Sequence, residues 1–192
     1  MSISDDDYRE HMETVMREGF TLSPPGYERL TQWTHLLMHI VNARHNFERV
    51  RDHAGVKTGE LADFFDQQAF FVAGVMAYCR CYAASGAQIS KLDAKQVYAG
   101  SDQGKAVHER LIELRNRVAA HTDHSDLIQL TLAVKEGAEE ITVRHLSTTV
   151  TPINEISDFL EAVAHSEHFV ILSINKLLDH LGTKVGKKII LD

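Results

Sequence analysis

Val107-His108-Glu109-Arg110-Leu111-Ile112-Glu113-Leu114-Arg115-Asn116-Arg117-Val118-Ala119-Ala120-His121 is the stretch on which the fold turns. Val107, Leu111, Leu114, Val118 and His121 recur at the spacing of one helix face, so the segment from about Gly104 to Ala120 reads as an amphipathic helix with His121 on its core-facing line. The period then changes. Ile128, Leu130, Leu132 and Val134 alternate with Gln129 and Thr131, and Ile141-Thr142-Val143-Arg144-His145-Leu146 resumes the alternation past a turn at Lys135–Glu140. Period two on both sides of a short polar turn predicts a β-hairpin over about 127–147.

The flanking segments return to helical spacing. On the C-terminal side, Thr151-Pro152 reads as an N-cap with proline at the first helical position. Ile156, Phe159, Leu160, Val163, Val170, Leu172, Ile174 and Leu177 carry that helix to about Leu181, with Gly182 as its stop. On the N-terminal side, Leu30, Trp33, Leu37, Ile40, Val41, Phe47 and Val50 predict a helix from about Tyr27 to Asp52. A further helix is expected from about Asp63, its N-cap, to Ala84, with Gly86 as the stop. Phe64, Phe65, Phe70, Phe71, Val72, Val75, Met76, Tyr78 and Tyr82 cover most of its circumference, which suits the middle of a bundle. Residues 87–103 read as a loop with a short helix over Asp93–Tyr98. The fold expected is mainly α: an up-and-down helical bundle with a β-hairpin inserted before the last long helix. Residues 1–26 form a polar, partly ordered segment ending in Ser23-Pro24-Pro25-Gly26, with a short helix near Asp7–Glu18. Residues 27–182 form the helical domain, and 183–192 a basic and apolar tail.

Composition narrows the class. A chain of 192 residues with 44% hydrophobic content can bury a substantial core. A net charge of −7 and a pI near 5.9 restrict any nucleic-acid contact to a local patch. Cys79 and Cys81 lie roughly 200° apart around a helix, which suits neither a mutual disulfide nor a metal knuckle. They read as small interior residues of a reducing compartment. The acidic start (Asp5, Asp6, Asp7) differs from a secretory leader, and the apolar stretch at Ala69–Ala77 is too short to span a bilayer. A cytoplasmic protein without membrane contact is expected.

Arg115, Asn116, Arg117 and His121 bring together a fixed planar cation, an amide and an imidazole. Arginine's fork suits phosphate, and histidine exchanges protons near neutral pH. The plainer reading makes the arginines solvated charges favoured by the helix dipole and His121 a half-buried cap. Arg44 and Arg80 interrupt apolar helices, where structural pairing is the expected role for each.

Leu114-Arg115-Asn116-Arg117-Val118-Ala119-Ala120-His121-Thr122-Asp123, preceded by Ala77-Tyr78-Cys79-Arg80-Cys81-Tyr82 on a long hydrophobic helix, resembles the HEPN superfamily (higher eukaryotes and prokaryotes nucleotide-binding), in its abortive-infection-like branch. The order helix, helix, helix, hairpin, helix agrees, so the resemblance covers most of 27–182. It implies a helical bundle that dimerises with its motif helices facing across a shared cleft. It further implies a metal-independent endoribonuclease of a bacterial defence or toxin–antitoxin system, with an antitoxin protein as a possible partner. Arg115, Asn116 and His121 match the catalytic signature. His121 would act as acid or base, Arg115 would stabilise phosphate charge and Asn116 would position a group, leaving a 2′,3′-cyclic phosphate. Arg117, Thr122 and Asp123 would bind phosphate or support the catalytic residues. The alternative is a non-catalytic dimeric module binding a nucleotide or a protein partner.

Helical geometry bears on that reading. Arg115 and His121 lie roughly 120° apart on a straight helix, so they converge only if the helix bends near Ala120 or a second subunit completes the site. Arg117 and His121 are one turn apart and share a face, which makes Arg117 the rival phosphate ligand. No metal or other cofactor is expected. His35 and His39 on one helix, and His165 and His168 on another, lack the paired Glu-x-x-His pattern of bundle metal sites. Ser125 and Ser147 have no nucleophile-elbow setting, and Gly182 and Gly186 no phosphate-loop spacing. The Lys184–Lys188 cluster reads as a solvated tail.

Overall fold

A computed structural model describes residues 4–53, 61–83, 91–120, 128–149 and 151–191. In chain order these form α1 (Asp5–Arg17), α2 (Glu28–His53), α3 (Leu61–Arg80), a single turn α4 (Ala94–Val97), α5 (Asp102–Ala120), β1 (Ile128–Glu136), β2 (Ile141–Thr149), a 3-10 turn (Ile153–Glu155) and α6 (Ile156–Val185). The architecture is mainly helical with one antiparallel hairpin, as the change of period predicts.

Three helices meet at a phenylalanine cluster. Phe47 of α2 lies 5.7 Å from Phe159 of α6 and 6.4 Å from Phe71 of α3, centroid to centroid. All three are fully buried. Offset and tilted rings at such spacing add to the burial of their large apolar area. α2 runs antiparallel to both neighbours: it meets α6 through Trp33 and Phe169, then Phe47 and Phe159, and meets α3 through Phe47 and Phe71, then His53 and Phe70. The close approach of α2 and α3 depends on Gly74, where an added Cβ would lie 2.8 Å from Cε1 of Phe47. α5 then leans on α3 and α6. Leu111 and Leu114 enter the core and Val107 is half-buried, so this part of the predicted stripe points inward.

Several boundaries differ from the sequence reading. α3 starts at Leu61, so Asp63 sits inside the first turn rather than at the cap. That helix is not encircled, because Phe65 and Ala73 reach solvent while Phe71, Val75 and Tyr78 face inward. The expected stop at Gly86 lies outside the described residues. Thr151-Pro152 opens the 3-10 turn, and α6 itself begins at Ile156. α6 also continues through Gly182 to Val185 and ends at Gly186, whose φ of +67° is the left-handed cap conformation. Gly182 serves another purpose. The tail folds back over it, with Lys187 N donating to Gly182 O at 3.1 Å, and a Cβ there would lie 2.9 Å from the Lys187 carbonyl oxygen.

The N-terminal segment contains α1, capped by a reciprocal Ser4–Asp7 box, yet α1 buries no residue. The hairpin is likewise set apart. Ile128 pairs with Thr149 and Glu136 with Ile141, in uninterrupted register, and every side chain from Thr131 to Leu146 is exposed. No helix described here is long and apolar enough to cross a membrane.

Candidate functional site

The last turns of α5 present Arg115, Asn116 and Arg117, all exposed, on a helix that remains regular to Ala120. Two carboxylates decide which cation is occupied. Glu155, at the end of the 3-10 turn, accepts from Arg110 Nε at 3.0 Å and Nη2 at 3.2 Å. Glu113 accepts from Arg110 Nη1 at 2.9 Å and from Arg117 Nη2 at 2.6 Å. Both hydrogen bonds and the two positive charges hold the Glu113 carboxyl below the usual range, the Arg110 bond contributing most. Arg117, the rival phosphate ligand, is therefore tied to an acid one turn back.

Arg115 is different. Its Nη1 donates to Asn116 Oδ1 at 3.2 Å, and it has no ion pair among the described residues. Arg115 thus stands as an exposed guanidinium hydrogen-bonded to its neighbour Asn116. Its charge also reaches Cys79 on α3, where it opposes the effect of burial on the thiol. His121, Thr122 and Asp123 lie outside the described residues, as does Ser125.

Arg44 and Arg80 resolve differently from each other. Arg44 Nη1 donates to both carboxylate oxygens of Glu167, at 3.0 and 2.9 Å, joining α2 to α6 as a structural ion pair. Arg80 is exposed at the end of α3 and has no ion pair among the described residues. Its charge is felt by His39 on α2, whose imidazole is held below the usual histidine range by burial first, then by Arg80 and His35.

Sequence spacing gives no hint of a polar network buried behind α5. Tyr78 and Tyr98 hydroxyls are 2.7 Å apart, and His108 Nδ1 lies 2.8 Å from Tyr78 Oη. Tyr98 Oη donates to the Ala162 carbonyl at 2.9 Å, and Ser166 Oγ, which donates to the same carbonyl, is 2.7 Å from Tyr82 Oη. With Tyr98 donating to Ala162, Tyr78 donates to Tyr98, and His108 donates through Nδ1–H to Tyr78; the tautomer is assigned from this network. Burial pushes the Tyr78 and Tyr82 phenols far up and holds His108 below the usual imidazole range. The network fastens α3, the turn α4, α5 and α6 to one another with neutral groups.

The cysteines are interior. Burial pushes the Cys79 and Cys81 thiols up to about 12, so neither is a nucleophile near neutral pH. Among the described residues, no group of three or more His, Cys, Asp or Glu side chains is placed to hold a metal ion. No protein-family model, curated protein or solved structure matches this chain.

Proposed function

We propose that the chain is a HEPN-type, metal-independent endoribonuclease of a bacterial defence or toxin–antitoxin system, acting as a homodimer. The observation that carries this reading is the division of carboxylates along α5: Arg110 and Arg117 are neutralised by Glu113 and Glu155, while Arg115 is left exposed beside Asn116. A cation with no ion pair among the described residues is available to a phosphate, and arginine binds phosphate through a fork of donors. Arg115 then stabilises charge on the scissile phosphate. Asn116 fixes the guanidinium, and His121 removes the 2′-hydroxyl proton or protonates the leaving oxygen. A second motif helix, from the partner subunit, completes the cleft that a single straight helix cannot form.

Incubation of a mixed RNA pool in EDTA, with mapping of product ends, tests this directly. Wild type is expected to leave 2′,3′-cyclic phosphates, and Arg115→Ala and His121→Ala to abolish them. Arg117→Ala should retain most of the activity. Absence of cleavage by folded, dimeric wild type would overturn the enzyme reading.

A second reading, a non-catalytic module that binds a partner, draws support from the hairpin. Its register places Leu132, Val134, Ile141 and Val143 on one face, and they are 57%, 64%, 64% and 53% exposed. A net charge of −7 also favours a protein partner over a long nucleic acid. An antitoxin-like protein is the partner class this face would suit.

A further inference from the structure

A groove remote from the α5 motif lies where the N-terminal half of α2, the approach to α4 and the C-terminal half of α6 converge. Its volume is about 750 Å3, within the range of small-molecule sites. None of its lining residues comes from α5.

Its chemistry is distinctive for so acidic a chain. Arg29 of α2, Lys91 ahead of α4, and Lys176 of α6 all line it, together with His180. None of the three cations has an ion pair among the described residues, although acids outnumber bases in the sequence by 27 to 20. Asp93, the acid on the lining, is already engaged: its Oδ1 accepts from Lys95 N at 2.9 Å and caps the α4 turn. Like charges gathered on a concave surface repel one another and raise the local potential, an arrangement that favours an anionic ligand.

The wall beside these cations is aromatic. Trp33 lies one turn after Arg29 on α2 and meets Phe169 of α6 at 6.3 Å between ring centroids. Both are half-buried and line the groove. Cations alone would suit any polyanion, and an aromatic wall alone any apolar ring. Their adjacency in one cavity selects a ligand that joins a flat ring to several phosphates.

We propose that this groove binds a nucleoside polyphosphate, with the phosphates on Arg29, Lys91 and Lys176 and the base against Trp33 and Phe169. The site is separate from Arg115 and does not depend on the ribonuclease reading.

Trp33 is the one tryptophan of the chain, so its emission reports occupancy of the groove directly. The experiment titrates the full chain with ATP, adenosine, tripolyphosphate and a short oligoadenylate, in EDTA, following indole fluorescence with calorimetry in parallel. ATP is expected to give a saturable response, with adenosine and tripolyphosphate each at least about ten-fold weaker, because each lacks one half of the recognised chemistry. Arg29→Glu and Lys176→Glu, both surface changes whose folding is checked by circular dichroism, should each weaken ATP at least about ten-fold. Lys105→Ala, on α5 and outside the groove, should leave ATP binding unchanged. Three results would overturn the proposal: no saturable ATP binding at millimolar concentration by either method, tripolyphosphate binding as tightly as ATP, or oligoadenylate binding without ATP binding. The second would indicate a general polyanion site, and the third a track for RNA.

Discussion

Gly74 of α3 faces the edge of the Phe47 ring so closely that a Cβ would stand 2.8 Å from Cε1 and 2.9 Å from Cδ1. The ring cannot retreat, because Phe71 and Phe159 pack against it. Gly74→Ala should therefore lower stability by about 1–3 kcal/mol, the usual cost of overpacking a filled core. Urea denaturation measures it. Adding Phe47→Leu should recover part of the loss if the clash is the cause, and a purely additive double variant would disprove that account.

The Arg44–Glu167 pair predicts an asymmetry. The Arg44 side chain is 42% exposed and that of Glu167 only 15% exposed. Arg44→Met leaves a carboxylate short of its donor, whereas Glu167→Gln leaves a guanidinium that water can reach. The arginine change should cost about 1 kcal/mol and the glutamate change less. A double-mutant cycle with equal single costs would contradict this.

Histidine protonation should shape the acid side of the stability profile. The unfolded chain takes a proton on His108 and His39 near pH 6.5, but burial lowers both values in the folded state. Between the folded value and 6.5 the unfolded state binds more protons, so stability falls as pH drops through that window and is insensitive to these groups above it. The depressed carboxyls of Asp7, Glu28 and Glu113 act lower, below their ordinary values of 3.8 and 4.5. Melting temperatures from pH 7.5 to 5 should decline in wild type and decline less in His108→Gln. An equal slope in both would remove His108 from the explanation.

Both thiols should be silent in the folded protein. With values pushed up to about 12 and side chains fully or nearly buried, Cys79 and Cys81 present almost no thiolate at pH 8. Labelling by a thiol reagent should be slow natively and become complete in denaturant. Rapid native labelling of either would mean that the end of α3 or the turn after it opens locally.

Much of this architecture is visible in spacing. The α2 stripe and the α5 stripe as far as Leu114 each reflect side chains that meet the core once per turn, and the hairpin alternates because successive side chains point to opposite faces of the ribbon, so a period suffices. That Gly182 lies inside α6 and not at its end is not legible, because glycine's two uses, ending a helix and admitting a close neighbour, look identical in a sequence. Leu36 and Ala43 complete the buried face of α2, while Leu37 and Val41 of the predicted stripe are only half-buried. Arg115 and Arg117 are legible as types, but which of them is paired depends on where Glu113 points, and spacing does not give that. The Tyr78–Tyr98–His108 chain left no trace, since its members come from three elements at unrelated spacings. The same holds for the cationic groove, assembled from α2, α6 and the approach to α4.

The hairpin gives the molecule two unequal scales of stability. A two-stranded ribbon with solvent on both faces is marginal in water, while amides of α2 and α3 beneath Phe47 open only when the whole core does. Hydrogen exchange should accordingly release Thr131–Leu146 early and the helical amides last. Side chains on that ribbon can then be rewritten without touching any residue that holds the bundle together, so what the protein meets and what keeps it folded are free to diverge separately.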